Sequence, residues 1–271
     1  MHHQAGQVRS GPTHGPRRCE HAGVVPQTTD PLAPLVALPG VAAAVAQARD
    51  ALATLHRHPV NRRGWPATAA EAAVRAARAS AALDGAALGP TGDVVADPVL
   101  AGSVRIAEEA GRLLAVWRTS PLQALARLHV LAAADLAPES RLGRPRGDAD
   151  ASARLALLAR LATGGTAAPA PVLSAVVHGE LLALAPFGSA DGVVARAASR
   201  LAAVASGLDP KALAVPEVGH LRRVREYRAA AAAFAGGTAD GVAEWLRHCC
   251  AQWVAGAREG RSIADARAPE T

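Results

Sequence analysis

From about residue 31 onward, apolar positions recur at the three- and four-residue spacing of helices. No run alternates with the period of two that a sheet needs. The punctuation between runs is helical too. A first helix is predicted over about 41–55. A second, carrying AAEAAVRAARASAAL, follows Pro66, which suits a first helical turn, and runs to 83. Asp97-Pro98 reads as an N-cap followed by a first-turn proline and opens a helix to about 118. Ser120-Pro121-Leu122-Gln123 repeats the signal with a capping-box Gln, for a helix to about 136. Asp148 opens a segment to about 161, and Pro171 opens one ending near 184. Residues 193–206 follow, with Gly207 as a natural stop, and 216–235 and 238–257 complete the set.

Two connections and two tails stand apart. The connection from Gly85 to Asp97 is glycine-rich and polar, and 137–147, APESRLGRPRG, has room for a short extended flap. Residues 1–30 are rich in His, Gly, Pro, Arg and Thr without apolar period, and 261–271 look similarly loose, so both are expected to be disordered tails. No fixed-length repeat is present. The expectation is one all-α domain over residues 31–260.

Composition sharpens this. Half of the 271 residues are hydrophobic but only 3% are aromatic, so the apolar set is dominated by Ala, a strong helix former that buries little area. The core must come from Leu and Val ridges in close helix contacts. The formal charge is +6 and Lys211 is the only lysine, so the positive charge is almost all arginine. A coding bias toward Arg explains that as well as an acidic partner does, and nucleic acid is not an expected partner. Three cysteines give no disulfide framework, and Cys249 and Cys250 diverge on a helix. No secretory leader or bilayer-spanning stretch is read, so the expectation is a soluble cytoplasmic protein away from the membrane.

The stretch with chemical content is ALAPFGSADGVVAR, residues 183–196, a loop feeding a helix. Gly192 and the amides of Val193 and Val194 fall at the helix start, where unpaired N–H groups and the dipole favour an anion. Arg196 lies one turn further on.

These residues, with their surroundings HGELLALAPFGSADGVVARAASRLAAVASGLDP, resemble the core of the Fic, or Fido, family, whose motif is H-P-F-x-[D/E]-G-N-G-R-x-x-R between two helices. Pro186, Phe187, Gly192 and Arg196 match it. Upstream, LHVLAAADLAPESRLGRPRG resembles the family's Leu-His pair followed by its target-binding flap. The resemblance implies a single Fido-like helical domain, ATP as nucleotide donor, and a protein target held at the flap. The departures fall on the reaction itself. The family's general base is a histidine and here it is Ala185. Its acidic metal holder is Ser189, its first glycine Ala190, its asparagine Asp191 and its first arginine Val193. A lost general base costs roughly 10²–10⁴ in rate, and phosphoryl-type transfer depends on charge neutralisation that the other changes weaken.

The resemblance extends to SAALDG, 80–85. Family members carry an inhibitory helix with [S/T]-x-x-x-E-[G/N], whose glutamate pairs with the last motif arginine. Here the acid is Asp84, one methylene shorter, and the implied inhibitory pair is Asp84 with Arg196. A helix that merely ends in Leu-Asp-Gly reads the same way.

Other groupings are weaker. His56 and His58 do not share a helix face, and His248-Cys249-Cys250 has no matching pair, so no metal site is expected. HLRRVREYR, 220–228, is read as a solvated helix face with Glu226 pairing to Arg222 at i,i+4. Trp245 and Trp253 are read as core, and His178 as too far from Ala185 to replace the base.

The leading expectation is a degenerate Fic-domain protein. It has no catalytic residue at Ala185 and no AMP transfer, with weak nucleotide or phosphate binding at Gly192, Val193 and Arg196 and docking at the flap. Two alternatives stand beside it: a transferase with altered chemistry through Asp191 or His178, and a helical interaction module without ligand.

Overall fold

A computed structural model describes Met1 and His2, residues 30–88 and residues 97–268. Cys19, nearly all of the N-terminal tail, the middle of the connection after Gly85 and the last three residues lie outside the described residues.

Twelve α-helices and one 3-10 turn carry the described chain, with no strand among those residues. They are α1 (Ala33–Val36), α2 (Val41–Arg57), α3 (Pro59–Arg63), α4 (Trp65–Leu83), α5 (Pro98–Thr119), α6 (Pro121–Ala133), α7 (Ala149–Ala162), α8 (Ala170–Leu184), α9 (Asp191–Ala205), α10 (Pro216–Arg222), α11 (Val224–Ala235) and α12 (Ala239–Asp265). The all-α expectation holds.

The centre is α8. It carries no charge before Glu180, and every residue from Pro171 to Gly179 is buried. A helix apolar all round belongs inside. It packs on α9, while α11 and α12 close its other side. The α5–α6 pair and α4 complete the layer over α9. With so much Ala, backbones approach closely. A Cβ at Gly102 on α5 would sit 2.2 Å from the Ala132 carbonyl oxygen on α6, and one at Gly260 on α12 would sit 2.3 Å from that of Leu213. Trp245 fills the space beside α8 and its indole N–H donates to the Ala175 carbonyl at 2.8 Å, so Trp245 and Trp253 are core, buried to 0% and 3% exposure.

Four local expectations are corrected. The predicted helix over 216–235 breaks at Arg223, whose φ of −124° and ψ of 43° separate α10 from α11. Arg223 therefore swings round to pair with Glu226 at 3.0 Å, and Arg222 bonds Glu259 of α12 at 3.1 Å. The last helix runs to Asp265 rather than about 257, so 261–265 are not tail. Ile263 and Ala264 are buried, Ile263 against Ala72, Ala76 and Val215. Only one apolar β-branched residue marks that turn among charges, which hides the signal. Ser120 makes no side-chain cap, whereas Asp97 caps α5 through the amides of Val99 and Leu100. Asp30, read as tail, accepts from Thr166 and from the amides of Leu32 and Ala167, tying it to the α7–α8 loop.

The flap at 137–147 is not extended throughout. Glu139–Arg141 form a 3-10 turn and Gly143 takes φ +70°. Its far end is pinned to the loop before α9: the Arg146 amide donates to the Pro186 carbonyl at 2.8 Å. Among the described residues no helix is long and apolar enough to cross a membrane.

Candidate active site

The loop between α8 and α9 is short and tightly wound. Ala185 ends α8 at φ +40°, Gly188 takes φ +80° and Ala190 takes φ +52°. Two alanines thus occupy the left-handed region, at roughly 1–2 kcal/mol each relative to glycine. Ala190, which the motif resemblance aligns with a glycine, is one of them, and the turn forms without glycine there.

Three contacts hold the loop. Asp191, the first residue of α9, accepts from the amides of Phe187 at 2.9 Å and Gly188 at 2.8 Å, one on each carboxylate oxygen. His129 of α6 stacks flat on Phe187, with ring centroids 4.2 Å apart and planes 6° apart. Its Nδ1 accepts from the Gly143 amide at 2.9 Å. The ring proton of neutral His129 therefore sits on Nε2 and is donated to Ser189 Oγ at 3.0 Å. Burial keeps His129 below its ordinary pKa. With its proton pointing at Ser189 and its other nitrogen used, His129 is a buried strut for the loop and is not set up to take a proton from Ser189. Finally, Arg146 of the flap reaches over the loop to the Ala185 carbonyl.

Arg196 is one turn into α9 and only 3% exposed. Its Nε donates to Ser80 Oγ at 2.8 Å and Nη2 to the Ser80 carbonyl at 2.9 Å. Nη1 donates to the Tyr227 hydroxyl at 3.3 Å. Nη2 also lies 2.9 Å from Asp84 Oδ2. So α4 supplies two partners four residues apart, Ser80 and Asp84, and α11 supplies the third. Burial works against the guanidinium charge, but Tyr227 and Asp84 outweigh it and its pKa is raised. Tyr227 is raised by burial and stays neutral. Behind it, His178 bonds the Tyr227 hydroxyl at 2.9 Å and lies edge-on to His220 and Trp245. His220 meets His248 at 3.1 Å. Burial pushes His178 and His220 well down and His248 to about 4. His178 is thus a core residue.

Asp84 also lies across the start of α9. A Cβ on Gly192 would stand 2.5 Å from its Oδ1 and 2.6 Å from its Oδ2. The carboxylate just after α4 thus lies against Gly192 at the start of α9, while the amides of Phe187 and Gly188 hold Asp191. Burial raises the Asp191 carboxyl, the Phe187 and Gly188 amides and Arg146 oppose that, and Asp84 adds to it. Val193, at the position the motif resemblance gives to an arginine, is 3% exposed and belongs to the core cluster.

Tyr227 was not singled out from the sequence, although it is the chain's only tyrosine and sits in the densest basic run. That isolation was the available signal. His56 and His58 pair with acids distant in the chain, Asp209 at 2.8 Å and Asp265 at 3.0 Å. Cys249 and Cys250 are buried free thiols, and burial lifts Cys250 to about 12. Among the described residues no cluster of three His, Cys, Asp or Glu is placed to hold a metal ion.

No family model matches the chain, and no curated protein matches its sequence. The structure, however, is similar to the crystal structure of a Fic family protein from Desulfovibrio desulfuricans G20. The TM-score is 0.58 and the identity 19%, over 86% of this chain and 77% of that one. This likeness gives the chain the fold of the Fic family.

Proposed function

We propose that this is a degenerate Fic-fold protein without nucleotidyl transfer, whose anion cradle is held shut by its own carboxylates. The observation that carries the reading is the position of Asp84: bonded to buried Arg196 and lying against Gly192, where a phosphate would have to enter. The chemistry agrees. Ala185 has no proton acceptor, and Ser189 is engaged by His129. Transfer through Asp191 would need a free carboxylate, and both of its oxygens accept loop amides. Transfer through His178 would need a reachable base, and His178 is 2% exposed with its Nε2 on Tyr227. Asp84 and Arg196 act as the inhibitory pair of a site that no longer reacts, and ATP or phosphate binds weakly at Gly192, Val193 and Arg196. The flap around Arg141, Arg144 and Arg146 remains as a docking element for a protein partner, although its 3-10 turn offers a shorter edge for strand pairing than an extended flap would.

The test is transfer of a labelled nucleotide from ATP to lysate proteins or to the chain itself. The wild type, Asp84→Ala and Ala185→His all leave proteins unlabelled. Robust labelling by the wild type, or by Ala185→His alone, contradicts the reading.

A further inference from the structure

Along the same face of α4 as Ser80 and Asp84, toward the start of the helix, lies a cavity of about 500 Å³. Its walls are Ala73 and Ala77 of α4, Ile106 and Ala110 of α5, and Val193 and Leu201 of α9. The alanines create it: three helices are held apart by their neighbours while the facing side chains are too short to meet. It opens to solvent beside Trp65 and Ala110, both exposed. Volumes of roughly 300–1,000 Å³ with apolar walls and a few placed polar groups are those of small-molecule sites.

Charge enters the lining in one region only, at Arg200, Lys211 and Glu217. Arg200 is already satisfied. Its Nη1 meets the Ala214 carbonyl at 2.7 Å and Glu217 Oε2 at 3.3 Å, and Nη2 meets the Ala212 carbonyl at 3.4 Å. Lys211 is different. Its ammonium donates to the Asn61 carbonyl at 2.9 Å, stands 6.0 Å from the Trp65 ring centre, and has no carboxylate within ion-pair distance among the described residues. A lysine has three donors, so capacity is left over. One uncompensated positive charge beside an apolar chamber matches a molecule with one negative head and an apolar chain.

The geometry points to a binding site for a single-chain anionic amphiphile, with its chain between α4, α5 and α9 and its carboxylate on Lys211. The site adjoins the anion cradle through Val193 and Ser80, but it does not depend on how that cradle is read. The inner end reaches Ser80, which also holds Arg196. One face of α4 thus carries a cavity wall at Ala73 and Ala77 and the Arg196 contacts at Ser80 and Asp84.

Isothermal titration of the full chain with decanoate, below its micelle concentration, tests this. One saturable site is expected, with decyltrimethylammonium bound about tenfold or more weaker because its head repels Lys211. Ala73→Leu and Ala110→Leu, which fill the chamber, weaken decanoate by about tenfold or more. Ala110 is on the exposed rim, so that variant carries the test if Ala73→Leu does not fold. Lys211→Gln weakens decanoate and leaves decanol unchanged. The inference is overturned if decanoate gives no saturable heat, if the cationic amphiphile binds equally well, or if a folded leucine variant binds as the wild type does.

Discussion

Two neighbouring strips of α9 have opposite characters. One strip presents Arg196 to Ser80, Asp84 and Tyr227, and each of the guanidinium nitrogens has a partner. The other presents Val193, Ala197 and Leu201 to an apolar chamber. The polar strip is filled by the chain's own groups; the apolar strip is left open by side chains too small to close it. In an alanine-rich protein, polar sites are closed by a few specific side chains, whereas apolar space persists wherever bulk is missing. Val193 is accordingly buried, at 3% exposure.

The comparison can be broken most forcefully at Arg196. Its replacement by Ala strands Asp84, Tyr227 and the Ser80 carbonyl beside an emptied volume, and about 3–5 kcal/mol of stability is expected to be lost. Urea denaturation measures it; a loss below about 1 kcal/mol would mean that the network is not structural.

The histidines behind Tyr227 give the next effect. His178, His220 and His248 all have folded pKa values below the ordinary 6.5. As pH falls below about 6.5 the unfolded chain takes up protons that the folded chain refuses, so stability drops on acidification. For His248 the loss continues down to about pH 4. The midpoint of thermal unfolding should fall steadily across this window, and His248→Gln should flatten part of the slope. A midpoint independent of pH between neutrality and pH 5 would count against neutral buried histidines.

Gly192→Ala sharpens the picture at the cradle. The added methyl would meet the Asp84 carboxylate at 2.5–2.6 Å, so the carboxylate must shift against Arg196. A loss of about 1–3 kcal/mol is expected, read by denaturation, with the wild-type separation from Arg196 lost in a crystal structure. The smallest effect has the opposite sign. Ala190→Gly relieves a φ of +52° and should add up to about 1 kcal/mol, seen as a raised unfolding midpoint.

How much of this the sequence carried follows from the physics of each signal. Proline at a helix start is local, so α4, α5, α6 and α10 begin where Pro66, Pro98, Pro121 and Pro216 place them. Asp97 caps α5 for the same local reason. The break at Arg223 has no proline or glycine to announce it, and the last turns of α12 rest on the distant contact of Ile263 with Val215. The Ser80–Asp84 spacing placed two acceptors on one face of α4. Tyr227 reaches Arg196 from an element 31 positions further on in the chain, a convergence that no periodicity encodes. The same holds for His56 with Asp209 and for the chamber, which depends on how three helices are spaced rather than on any motif.

The central claim, that Asp84 keeps the start of α9 closed to phosphate, is tested most directly by calorimetry with ATP and magnesium on the wild type and on Asp84→Ala, with the fold of each checked by circular dichroism. The account predicts weak or undetectable heat for the wild type and a clear gain in binding for the variant. Equal affinity in the two proteins, or tight binding by the wild type, would contradict it.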